Sequence, residues 1–316
     1  MVLSAENIRQ KQKLIKGVNF NLLVVGVNDL GKKTFINTLI QKQYYQAGTN
    51  EANSNCIYKS NTNESSDTLD YSDFSIETNS FEYFPGSSVP IKLRVSVTNN
   101  FGFNCYDDSH GNLLLSFIEN QLRSMSNEEM KITRTANVQD GRIHLALYFL
   151  YPSKTLSKFD IEMMSKICHR VNLLPVIAYR DSLTDDELDE VRKSILNDIM
   201  KHRIKIFDFL GNVVDDEESN EFATVSSEEY RFYSELNKSI PFAIIGANRF
   251  NDSGLLRSTQ WGEIDVENEH LCDVKLLRTV IFESHLQEFK DTTVNNIYEN
   301  FRIEQLMEKR VLSQHR

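Results

Sequence analysis

Between Asn21 and Ile40 the chain reads NLLVVGVNDLGKKTFINTLI: an apolar run that ends in a glycine, a short loop, then a second glycine and a lysine that open a helical pattern. That order suits phosphate binding, because a buried strand delivers the chain to a loop whose backbone N–H groups, with the helix N-terminus, form a nest for anionic oxygens. Gly26, Gly31 and Lys32 fall in the G-x-x-x-x-G-K-[ST] frame, but Lys33 stands where a magnesium-binding hydroxyl belongs and Thr34 comes one residue late. The stretch predicts a nucleotide-binding α/β fold whose chemistry is degenerate.

The 316 residues, 40% of them hydrophobic, suffice for one large core with an accessory segment. A formal charge of −10 gives no global field toward nucleic acid, and no nucleic-acid partner is expected. Cys56, Cys105, Cys168 and Cys272 lie far apart without a C-x-x-C pair, which argues against a zinc site and supplies no disulfide framework. A reducing cytoplasm is the expected setting. Neither a long apolar span nor a signal-peptide core is present, so a membrane-spanning or secreted protein is not expected.

Along the chain, residues 1–17 form a basic N-terminal segment in which Lys11, Lys13 and Lys16 sit beside Ile8, Leu14 and Ile15. It is either a solvated leader or a basic turn that touches anionic lipid. A helix is expected from Thr34, then a long mobile polar loop over 46–73. Strands are expected around Phe74–Phe84 and Ile91–Thr98, a helix over 111–124, a buried strand over 142–151, a helix over 159–171 and a strand over 173–178. His144, inside the apolar run RIHLALYFLY, reads as a core or interface residue rather than a catalyst. Thr184 to Glu187 spells a capping box, with Leu188, Val191, Ile195 and Ile199 on the inward face of its helix. Pro241–Ala247 reads as the last parallel strand, with Gly246 placed to let the backbone approach a base, and helices are expected over 271–290 and 292–309. Asp181, in Ala178-Tyr179-Arg180-Asp181, is either a turn residue or the acceptor of a base-recognition loop.

Taken together and in order, GVNFNLLVVG, the degenerate loop through FINTL, GRIHLALYF, LLPVIAYRDSLTDDEL, PFAIIGAN, QWGEIDVEN and SHLQEFKDTT resemble the septins, and fungal septins in particular. The resemblance implies a Ras-like P-loop GTPase fold, a mostly parallel sheet flanked by helices, over 18–250. It further implies a septin-specific element and C-terminal helices over 251–309 and a tail over 310–316. It implies GTP or GDP at Gly26, Gly31, Lys32, Thr34, Asp181, Gly246 and Arg257, the arginine stacked on the base. It places Glu187 and Trp261 at subunit interfaces, beside His144 as the interface candidate of its own apolar run, although a core aromatic is the alternative for Trp261, and it raises phosphoinositide contact by Lys11, Lys13 and Lys16.

The departures from the family pattern set the functional expectation. The magnesium-holding D-T-P-G block reads Val97-Thr98-Asn99-Asn100, Asp29 replaces a loop glycine, Tyr179 replaces a base-stacking lysine, and the G-H-G block reads Ser153-Lys154-Thr155. Phosphoryl transfer depends on magnesium and positioned charge, so hydrolysis is not expected, nucleotide binding is expected to be weak or absent, and magnesium is not expected. Lys33 is expected to offset charge at the β-phosphate. The expected role is a structural subunit of hetero-oligomeric septin filaments at the membrane, in a ring at the division site or bud neck or in sporulation. Two alternatives stand beside it: a slow GTPase using Asp107 or Asp108, and a module that caps filament ends.

Overall fold

A computed structural model of the chain describes residues 17–45, 56–59, 74–84, 89–102, 109–131, 140–209, 227–251 and 254–314. Strand β1 (Val18–Gly26) is central because both its faces are apolar: Phe20, Leu22 and Val24 enter one hydrophobic cluster while Leu23 and Val25 enter the other. Around it lie β2 (Cys56–Lys59), β3 (Ser75–Tyr83), β4 (Ile91–Asn99), β5 (Leu145–Leu150), β6 (Leu173–Ile177) and β7 (Phe242–Ala243), in the order β2-β3-β4-β1-β5-β6-β7. Strands β4, β1, β5, β6 and β7 are parallel, and β3 is antiparallel to both β4 and β2.

One face is covered by α2 (Ser109–Met130), α3 (Lys158–Ile167) and α4 (Asp185–Lys201), through Leu114, Met163, Val191 and Ile195 among others. The other is covered by α1 (Lys32–Ile40), α5 (Ser227–Ser239) and the C-terminal helices, through Phe35, Leu39, Leu236, Leu277 and Phe289. The result is an α/β fold of the expected class. Beyond β7 a three-stranded antiparallel sheet forms from β8 (Arg249–Asn251), β9 (Gly254–Thr259) and β10 (Gly262–Asp265).

Helices α6 (Val274–Thr279), α7 (Leu286–Thr292) and α8 (Glu299–Gln314) follow, joined through π-helical turns at Val280–Ser284 and Thr293–Tyr298. The Asn172 side-chain amide ties them to the sheet, donating to the carbonyls of His144 and Phe289 and to the Thr293 hydroxyl. Arg142 adds to the join by stacking its guanidinium 4.8 Å from the centre of the Tyr298 ring.

Several boundaries differ from expectation. The polar interval 46–73 contains β2, a four-residue edge strand that pairs with β3 where the β-prone Cys56-Ile57-Tyr58 interrupts the Asn/Ser-rich composition. The helix expected over 111–124 runs to Met130. The strand expected over Pro241–Ala247 keeps strand pairing only at Phe242 and Ala243, and beyond it the Ile244 N–H reaches the Ile177 carbonyl at 2.9 Å. No helix among the described residues is long and apolar enough to cross a membrane.

Candidate functional site

The loops at the carboxyl ends of β1, β4, β6 and β7 converge at one edge of the sheet, the position at which open parallel sheets bind ligands. The loop after β1 turns sharply because Gly26 adopts φ 153° and Gly31 φ 71°. A Cβ on Gly26 would lie 2.7 Å from the Phe149 Cβ, so the first glycine is fixed by close packing against β5. Asp29 takes φ 64°, a left-handed conformation that aspartate tolerates better than most residues and that suits the glycine it replaces.

The side chains then settle how the loop is filled. Lys32 is 7% exposed and turns its ammonium back into the loop, 2.5 Å from the Gly26 carbonyl and 2.7 Å from that of Val27. Burial pulls its pKa down to about 8, against the attraction of Asp29 and with the repulsion of Lys33. Lys33 points away from the phosphate position, toward β3, and pairs with Glu77 at 3.1 Å while lying 5.4 Å over the Tyr45 ring. Burial alone would raise the Glu77 carboxyl, but the Lys33 ammonium and the Asn79 and Asn99 amides hold it below its usual range. Lys33 was expected to offset phosphate charge; its partner is instead a protein carboxylate, since a buried acid on β3 needs a counter-charge within reach.

At the end of β4, where a metal-holding carboxylate would stand, the Thr98 hydroxyl donates to the Val24 carbonyl at 3.5 Å and the Asn28 amide donates to Asn100 at 3.3 Å. Across the loop the Tyr179 hydroxyl donates to the Asp29 carbonyl. Tyr179 itself is left-handed at φ 53°, and burial, followed by the nearby Asp29 charge, raises its phenol. No group of three or more His, Cys, Asp or Glu side chains that could hold a metal forms among the described residues. The metal's part of such a site is incomplete in these residues: Lys33 stands at the position of the hydroxyl ligand and turns to Glu77, and Thr98 stands where a carboxylate belongs, while Lys32 has a third N–H donor beyond the two that go to the loop carbonyls.

Of the residues expected at the nucleotide, Gly31, Thr34, Asp181, Gly246 and Arg257 border one cleft of about 290 Å³, which Tyr179 also lines. Gly26 and Lys32 do not line it. Gly246 was expected to let the backbone approach a base and borders the cleft, and a Cβ there would lie 2.9 Å from the Thr34 methyl. The glycine is demanded by the approach of α1. Arg257 keeps a water-shielded Nε that meets no acceptor among the described residues, and Asp181 is exposed on a short 3₁₀ turn at Arg180–Ser182.

The residues expected at interfaces separate. Trp261 is 95% exposed in the tight turn between β9 and β10, which removes the core reading. Glu187 is exposed and closes a reciprocal capping box at the start of α4, accepting from the Thr184 N–H at 2.9 Å. His144 is fully buried, accepting from the Asn21 N–H at 2.9 Å with its ring 5.4 Å from Phe20. It is a core residue and not an interface residue, because its backbone already lies between β1 and the Asn172 clamp. Lys11, Lys13, Lys16, Asp107 and Asp108 lie outside the described residues.

Two participants were missed from the sequence. Glu77 lies in a polar strand, SIETNSFEY, where nothing local distinguishes it; its only signal was an otherwise unexplained lysine at position 33. Tyr151 is 64% exposed just after β5 and faces Tyr179 edge-on at 6.4 Å; its signal was an aromatic directly after the strand that borders β1.

Comparison with known proteins places this geometry. The Septin family model matches residues 16–315. Septin-12 of Rattus norvegicus is 34% identical over 302 residues, covering 94% of this chain and 77% of that protein. Sporulation-regulated protein 28 of Saccharomyces cerevisiae is 29% identical over 332 residues, covering 98% of this chain and 78% of that protein. The crystal structure of Cdc11 from Saccharomyces cerevisiae superposes with a TM-score of 0.56 at 23% identity, covering 91% of this chain and all of that one, a likeness of fold.

Proposed function

This chain belongs to the septin family, and from that premise we propose that it is a filament subunit whose metal-ligand position is taken by a lysine committed to a protein carboxylate, so that it scaffolds without turning over nucleotide. Septins are cytoskeletal, assemble with other septins into hetero-oligomers and act in cell division. The observation that carries the finer reading is the Lys33–Glu77 pair, which commits the residue at the metal-ligand position to a carboxylate on β3 and leaves nucleotide hydrolysis without that ligand. GTP or GDP binding is accordingly weak or absent, and magnesium is not held.

The fully exposed Trp261 supports assembly through the nucleotide-side face, and Glu187 is exposed at the start of α4. Peripheral contact with anionic phosphoinositide surfaces through Lys11, Lys13 and Lys16 rests on the basic N-terminal sequence, and a role in sporulation rests on likeness to a sporulation-regulated relative. Nucleic acid is not a partner on the charge argument. The experiment that tests the subunit reading is co-assembly of a fluorescently labelled chain with other septins, viewed along single filaments. Even spacing along the filaments is expected; label confined to filament ends, with shortened filaments, would show a cap instead.

A further inference from the structure

Resting on the reading of a phosphate loop without nucleotide turnover, we infer that Tyr44 and Tyr45 form a clasp that fixes the chain leaving α1 against β3 in the absence of nucleotide. In phosphate-loop folds this is where a segment begins that is ordered by the γ-phosphate and its metal and released when they leave. Lys33 and Asn37 lie one turn apart on α1, while Glu77, Asn79 and Phe81 are alternate residues of β3, so each set shares one face of its element. The two tyrosines bond to both sets.

Asn37 makes the backbone half of the clasp. It is buried, its Oδ1 accepts from the Tyr44 N–H at 3.0 Å and the Tyr45 N–H at 2.9 Å, and its Nδ2 donates to the Tyr45 carbonyl at 2.7 Å. Tyr44 and Tyr45 belong to no helix or strand, so this one side chain satisfies three backbone groups that a ladder would otherwise serve. Side chains close the other half. The Asn79 amide donates to the Tyr45 hydroxyl and to Glu77, each at 2.8 Å, and accepts from the Tyr44 hydroxyl at 3.4 Å. The Tyr44 ring meets Phe81 edge-on at 4.8 Å and Tyr45 at 5.1 Å. Lys33 pairs with Glu77 while lying over the Tyr45 ring, so the residue that displaced the metal's hydroxyl ligand is the one that ties α1 to β3 across that ring. These partners sit on elements packed into the sheet, so the clasp stays closed whether the phosphate loop is occupied or empty.

Hydrogen exchange at the Tyr44 and Tyr45 amides of the full chain, resolved by fragmentation in a mass spectrometer, tests the clasp. Protein stripped of nucleotide with EDTA and alkaline phosphatase should protect both amides about a hundredfold over an unstructured peptide, and millimolar GTP with magnesium should change that by less than about twofold. Asn37→Ala should remove the protection. A second variant guards against misfolding at that buried position: Lys33→Ser with Glu77→Gln removes both charges together, and should speed exchange at the two tyrosines about tenfold beyond any change at Leu147 in β5. Stripped protein whose tyrosine amides exchange like open chain would overturn the inference, as would protection that appears only with GTP and magnesium. So would variants that move the tyrosine amides no more than Leu147. One guanine nucleotide per purified chain, with protection that survives its removal, defeats the reading of the phosphate loop and leaves the clasp standing. An empty loop with unprotected tyrosine amides defeats the clasp alone.

Discussion

Replacing Lys33 by Ala, Glu77 by Gln, and both together isolates the pair on which the proposed function rests. At 3.1 Å the two charges attract by about 5 kcal/mol at an effective dielectric of about 20, which is a ceiling before desolvation is counted. Lys33 is 41% exposed and Glu77 7%, so solvent screens one end of the pair while the other has already lost its water. Lys33→Ala leaves a buried carboxylate served only by the Asn79 and Asn99 amides, and should cost about 2 kcal/mol. Glu77→Gln keeps a neutral hydrogen-bonding group, and the half-exposed lysine can return to water, so it should cost about 0.5 kcal/mol. In the double variant no buried charge is stranded, and the loss should be about 1 kcal/mol rather than the sum, a coupling of about 1.5 kcal/mol. Equilibrium urea unfolding of the four proteins measures this directly, and Lys33→Ala should also lower Tm by roughly 4–8 °C. Single-variant losses that add to within about 0.3 kcal/mol would refute the reasoning, because an ion pair that fixes β3 to the loop cannot be energetically independent at its two ends.

Lys32 makes stability rise in alkali: the folded pKa is about 8 against 10.5 in the unfolded chain, so between those values the unfolded state binds more protons and unfolding becomes harder as pH increases. Chemical unfolding from pH 8 to 10 should show this slope, and Lys32→Met should flatten it. His285 acts in the acid range, since burial lowers it to about 4 from 6.5 and the unfolded chain takes up its proton first; stability should fall as pH drops from 6.5 to 4, less steeply in His285→Gln. Gly26→Ala would place a methyl against the Phe149 Cβ and carbonyl in a backbone conformation that L residues rarely adopt, and should cost about 3 kcal/mol in thermal or urea unfolding.

The parts of the fold legible in the sequence were those in which local pattern and tertiary demand coincide. Strand β5 is an unbroken apolar run buried on both faces, and α4 carries its capping box and its inward stripe in plain view. The phosphate loop was legible for the same reason: glycine spacing is a local requirement, and both Gly26 and Gly31 take the positive φ it implies. What lay beyond reach depends on contacts distant in sequence. The partner of Lys33 is on β3, reached only through the antiparallel pairing of β3 with β4. The burial of His144 follows from β1 on one side and Asn172 on the other, which no window around residue 144 contains. The first of the π turns that join the C-terminal helices likewise leaves no mark in residue periodicity, because Leu277 before it and Ile281 within it keep helical spacing. Trp261 was recognised by its motif but not by its exposure, which the β9–β10 turn alone determines.

The central claim, that a lysine committed to Glu77 leaves the phosphate loop without its metal ligand, is tested most directly by the nucleotide content of the purified protein, read by denaturing it and separating the supernatant by ion-exchange chromatography. A loop without its metal ligands predicts far less than one guanine nucleotide per chain, unchanged by magnesium during purification. One guanine nucleotide per chain would contradict it, since the loop would then hold a phosphate chain without the metal ligands.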